Sequence, residues 1–190
     1  MTDIDSLPLP RRTVPCCGRA AMTTPIRPLS RLNPAELSGT WQVMATTLPF
    51  WHGQVAPYIE YQPLPDGRWR DLVHYQTAAG KPRTISGYDQ PDPSHPGAFR
   101  WRGAGWLAWC TSQWCFVDVD LAVGLALTWF SAATLHVTPS GFDLYSRDAS
   151  VTPQALLAWL TRVEGHLGRQ TSPSWFMPAR GQQPERSLRP

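Results

Sequence analysis

Apolar and polar positions begin to alternate at residue 37, where "LSGTWQVMATTLPFW" runs to Trp51. Short runs rich in β-branched and aromatic residues then recur at 55–64 (VAPYIEYQPL), 68–77 (RWRDLVHYQT), 81–90 (KPRTISGYDQ), 98–109 (AFRWRGAGWLAW), 113–120 (QWCFVDVD), 123–131 (VGLALTWFS), 134–138 (TLHVT) and 141–146 (GFDLYS). Turn residues separate them at intervals of about 8 to 12, which is the spacing of an all-β sandwich or barrel. Between the first two of these runs stands "PDG", a tight-turn signal that predicts a hairpin. If Asp66 and Gly67 form a two-residue turn, Tyr61 stands opposite Leu72 and Ile59 opposite His74 on the apolar face, with Glu60 and Gln62 on the other. The same alternation in "FRWR" sends Phe99 and Trp101 inward and Arg100 and Arg102 to solvent.

One segment has a different period. In "VTPQALLAWLTRVEGHLG", residues 151–168, Leu156, Trp159, Leu160, Val163 and Leu167 fall on one helical stripe. Thr152 can cap this helix, Pro153 suits its first position and Gly168 closes it. A lone amphipathic helix needs an apolar surface to cover, and the outside of a barrel offers one.

Composition narrows the class. The chain has 190 residues, 42% of them hydrophobic, enough for one core and one domain. Its parts read as a Pro- and Arg-rich tail at 1–30, a barrel with its helix at 31–168, and a second tail at 169–190 that packs partly around Trp175. No run approaches the roughly 20 apolar residues of a membrane-spanning helix. The region around Arg11 and Arg12 lacks the apolar run of a secretory signal, whether translation starts at Met1 or Met22, so the expected location is cytoplasmic.

The formal net charge of +3 lies in the tails: residues 31–168 hold nine basic and eleven acidic residues. A nucleic-acid partner is therefore not expected, because such a protein concentrates its basic residues on the folded part. Four cysteines make no framework. Cys16 and Cys17 are neighbours in the leader, and Cys110 and Cys115 bracket "TSQW", where a hairpin could bring them close. His95 and His136 have no metal-site spacing to that pair, and reduced thiols packed as small hydrophobes are the simpler reading.

The order of parts resembles the lipocalins. Their first strand begins Gly-x-Trp, as Gly39-Thr40-Trp41 does here, their last strand ends near an Arg, as at Ser146-Arg147, and a single helix follows. "IEYQPLPDGRW", "RTISGYDQPD", "WCFVDVD" and "SWFMP" are similar to stretches of bacterial lipocalins, so that the likeness spans residues 37–178. The stretch "AATLHVTPS" is longer than a tight turn needs and departs from the pattern. The resemblance implies an eight-stranded up-and-down antiparallel barrel with one C-terminal helix packed outside. It also implies closure at one end by Gly39, Trp41 and Arg147, with the guanidinium across the indole.

An eight-stranded barrel is just wide enough to be filled by side chains or to hold one small ligand. The resemblance implies a binding protein for a hydrophobic small molecule such as a fatty acid, lysolipid, terpenoid or pigment. Its expected ligand-binding residues are Ile59, Tyr61, Leu72, His74, Phe99 and Trp101, with Phe50 and Trp51 in the loop across the mouth. The alternative is an isomerase or cyclase acting on a hydrophobic metabolite in the same cavity, with His74 as acid or base. Asp118 with Asp120 on one strand face, and Cys110, are the other candidate parts. No nucleophile elbow, phosphate loop or metal cluster is present, so no catalytic residue, metal or cofactor is assigned.

Overall fold

The fold is that of a computed structural model, in which residues 33–134, 138–163, 174–181 and 186–188 are described. Residues 1–32, His136, Leu167 and Gly168 lie outside these, as does most of the strand-like run 134–138. Eight strands follow one another: β1 (Gly39–Thr46), β2 (Gln54–Pro63), β3 (Trp69–Thr77), β4 (Pro82–Pro91), β5 (Ala98–Gly103), β6 (Thr111–Asp120), β7 (Leu125–Phe130) and β8 (Gly141–Ser146). Each pairs antiparallel with the next, and β8 returns to β1, so the sheet closes into an up-and-down barrel. A short helix α1 (Pro34–Leu37) precedes the barrel and α2 (Pro153–Val163) follows it. Thr152 caps α2 through its Oγ1, which accepts from the Ala155 N–H at 3.2 Å.

Alternation along the strands builds two apolar layers. Inward-facing residues, among them Trp41, Val43, Ile59, Phe99, Trp114, Phe116 and Tyr145, fill the barrel. Met44, Cys115, Leu125, Leu127 and Leu144 face outward and are covered by Leu156, Trp159, Leu160 and Val163 of α2. Strands under the helix are thus buried on both faces, and all six residues of β8 are buried. This is why "GFDLYS" and "LALTWF" read as nearly unbroken apolar runs. Each fully buried Leu or Val contributes about 1.5–3 kcal/mol. Asp120, at the end of β6, ties the helix to the barrel through Arg162 at 3.0 Å.

The β2–β3 hairpin corrects one expectation. Its loop holds three residues, Pro65 to Gly67, with the Leu64 N–H donating to the Arg68 carbonyl at 2.8 Å and the Gly67 N–H to the Leu64 carbonyl at 3.0 Å. Gly67 takes φ +81°, which a type I turn followed by a left-handed residue requires. Compared with a two-residue turn, the register moves by one: Tyr61 pairs with Asp71, Ile59 with Val73, and Tyr58 with His74. A slip of one residue exchanges the faces of a strand. Leu72 and His74 therefore belong to the outer face of β3, and Asp71 and Val73 to the inner one.

The two ends differ. Arg147 lies over Trp41, with its Cζ 3.8 Å from the ring centroid, and donates to the carbonyls of Thr40 and Glu36, each at 3.0 Å. The Trp41 indole N–H donates to the Leu37 carbonyl at 2.8 Å, so α1 seals the barrel below it. Gly39 has φ +91°, and a Cβ there would come within 3.1 Å of the guanidinium. At the other end, the β1–β2 seam opens above the pair Gln42–Tyr58. The segment carrying β9 (Trp175–Met177) occupies the gap, with Phe176 beside Thr46 and Ala179 beside Val55. The strand β10 (Arg186–Leu188) pairs with β9.

Candidate functional site

The upper half of the barrel encloses a cavity of about 260 Å³. Its rim comes from three loops, with Leu48, Phe50 and Trp51 after β1, Leu107 and Cys110 after β5, and Ala133 and Thr138 after β7. Ile59, Val73, Ile85, Trp101 and Phe130 form the wall. Below it, Tyr61 stacks on Trp114 at 5.3 Å and Trp114 on Phe99 at 4.5 Å, and these rings fill the lower barrel.

Of the expected ligand-binding residues, Phe50, Trp51, Ile59, Tyr61 and Trp101 line the cavity. Phe99 faces inward but lies beneath, behind Trp114. Leu72 and His74 are on the outer face of β3. His74 stacks on Tyr58 at 4.6 Å and shares a hydrogen bond with Thr84 at 3.0 Å, both on neighbouring strands. The loop aromatics pack onto the barrel. Trp51 is buried, its indole N–H donates to Asp143 at 3.2 Å, and its ring meets Phe50 and Tyr75 edge-on.

Three buried carboxyl groups inside the barrel have no counterpart among the sequence candidates. Asp143, on the upper wall, accepts from Thr46 Oγ1 at 2.5 Å and from Trp51. Burial nevertheless pushes its pKa up to about 7, with the Thr46, Trp51 and Tyr145 contacts opposing the shift. Asp89, deeper down, accepts from the Trp114 indole N–H at 2.7 Å. Asp71 lines the cavity, is 6% exposed, and its Oδ1 has no hydrogen-bond partner. Burial, then the charge of Asp89, raises Asp71 well above the usual carboxylate range. No Lys, Arg or His stands among the described residues around the cavity.

These acids were hidden for two reasons. A two-residue turn would put Leu72 and His74 on the inner face, and the observed register puts Asp71 and Val73 there. Asp143 sits in a strand buried on both sides, where period-2 alternation vanishes. The one available signal was a lone Asp in the apolar run "GFDLYS". The other sequence candidates lie apart from the cavity or lack a partner for catalysis. Asp120 is engaged by Arg162 on the outer surface. Cys110 borders the cavity as a free thiol whose pKa is raised by burial. Cys115 is also free and lies under α2, where burial pushes its pKa up to about 12.

No family model matches the chain, and no curated protein matches it. Among solved structures, the chain is similar to lobster apocrustacyanin A1 (TM-score 0.58) and to apocrustacyanins C2 (0.58) and C1 (0.57). Each likeness has 13% sequence identity and covers 79% of this chain and 81% of the other. Crustacyanins are lipocalins, and the fold of this chain is a lipocalin-type, or calycin, barrel.

Proposed function

We propose that the protein is a binding protein that holds one small, largely apolar molecule in the upper barrel. The carrying observation is the cavity of about 260 Å³ walled by aromatic and aliphatic side chains above a filled, sealed base. Ligand pockets usually measure about 300–1,000 Å³, so the occupant is small. A terpenoid or a short acyl chain suits that space better than a long fatty acid or a lysolipid. The similar structures are named as apoproteins, which accords with a barrel that carries a non-protein component. His74, the acid or base that the enzyme alternative names, is on the outer face. Cytoplasmic residence with Cys110 and Cys115 as thiols forms part of the same reading.

Indole fluorescence tests the proposal, since Trp51, Trp101 and Trp114 all border the cavity. Titration with small apolar molecules should give saturable binding in the micromolar range or tighter, an order-of-magnitude expectation. Val73→Trp should abolish it by occupying the lumen, whereas Leu72→Trp, on the outer face, should leave it intact. If no apolar ligand binds and Val73→Trp raises stability, the space is a packing defect and the binding role fails.

A further inference from the structure

We propose that the cavity selects a molecule with an apolar body and a single ammonium head, which pairs with the carboxyl group of Asp71. The proposal rests on the binding role above and names the chemistry of its ligand. Asp71 is more than nine-tenths buried, borders the cavity, and has an Oδ1 without a hydrogen-bond partner. A buried acceptor with no donor is a standing cost to the fold, and a donor on the ligand removes it. The other two carboxyl groups are already engaged: Asp143 by Thr46 and Trp51, Asp89 by Trp114. Asp89 also has a free Oδ2, but it is wholly buried and does not border the cavity.

Charge argues the same way. An anionic head would enter a space with no Lys, Arg or His among its described lining residues and would face both Asp71 and Asp143. An ammonium meets Asp71 in a space whose remaining lining is mostly aromatic and aliphatic and carries no positive charge. The titratable groups that interact with Asp71 are Tyr61, its partner on β2, Asp89 on the adjoining β4, and Tyr145 on β8, and none supplies a positive charge. Because burial favours the neutral acid in the empty barrel, entry of an ammonium sends the Asp71 proton to solvent and leaves an ion pair, R–NH3⁺ with carboxylate.

Three eight-carbon probes, octylamine, octan-1-ol and octanoate, separate the possibilities on the full chain at neutral pH, where the amine is charged and the acid ionised. Octylamine should bind at least tenfold more tightly than octan-1-ol, and octanoate should bind most weakly. Asp71→Asn should weaken octylamine at least tenfold while changing octan-1-ol by less than threefold. Should that variant fail to fold, calorimetry of the wild type in two buffers of different ionisation enthalpy decides. Octylamine should release protons on binding, and octan-1-ol should not. If octylamine binds no better than octan-1-ol, or releases no protons, the ammonium proposal is overturned while the apolar binding role stands. If none of the three binds, both fall.

Discussion

Asp143 shows what single side chains reveal about this barrel. Its pKa of about 7 in the fold lies far above the ordinary 3.8, because burial opposes the charge more than Thr46, Trp51 and Tyr145 favour it. A raised folded pKa means that the native state binds the proton more tightly, so its stabilising contribution is full below about pH 4 and is lost as pH rises through about 7. Asp71 and Asp89 are raised by burial too and act in the same direction. Exposed Asp66 and Asp148 and half-buried Asp92 are held below their usual values by local hydrogen bonds, so their opposing effect falls in more acid solution. Urea unfolding should therefore show stability declining as pH rises from about 4 to 7, with Asp143 contributing on the order of 4 kcal/mol at most. Asp143→Asn should flatten part of that slope, and identical slopes in variant and wild type would count against the assignment. At this scale the sequence was informative where a motif placed side chains. Gly39, Trp41 and Arg147 meet at the sealed end, because Gly39 leaves room for the guanidinium that covers Trp41. It was mute on buried acids, since an Asp in a strand looks the same whether it faces water or the lumen.

Elements were legible in number and order, but less so in register. The runs between residues 55 and 131 and the run 141–146 matched strands because their composition suits a pleated, half-buried surface, the run 134–138 lies mostly outside the described residues, and Pro153 with the stripe to Val163 matched α2. The run 98–109 was too long: β5 stops at Gly103, and the chain then turns through Gly105–Leu107, leaving Trp106 and Trp109 exposed at the mouth. The faces of β3 depended on whether the "PDG" loop holds two residues or three, and turn composition alone did not decide that. A pair of substitutions checks the register. Val73→Asp places another carboxyl group in the lumen and should cost at least about 2 kcal/mol, the penalty for an unpaired buried polar group. Leu72→Asp lies on the half-buried outer face and should cost less than about 1 kcal/mol. Thermal melts of the two variants report the difference. The reverse ranking would restore the two-residue turn and put His74 back inside.

At the scale of the whole molecule, the barrel divides its interior between packing and binding. The chain has ten Trp in 190 residues, a count that does not say where the rings end and space begins. The division falls at Trp114, which borders the cavity on one side and stacks on Phe99 on the other. Phe99 is thus a floor beneath the floor, and it sets the depth available to a ligand. Each methylene transferred into the cavity contributes about 0.8 kcal/mol, so affinity in a series of linear apolar ligands should rise with chain length and then level off when the upper space is full. The early plateau follows from the cavity's modest size. Phe99→Ala opens room below Trp114 and lets that ring settle, at a stability cost of about 3–5 kcal/mol. Phe99→Leu is the milder version. Either variant should move the plateau to longer chains while hardly changing the affinity of the shortest ones, as read by indole fluorescence. An unshifted plateau in both, with the expected loss of stability, would mean that Trp114 holds its place without Phe99, leaving the depth of the site set by the Tyr61–Trp114 stack alone.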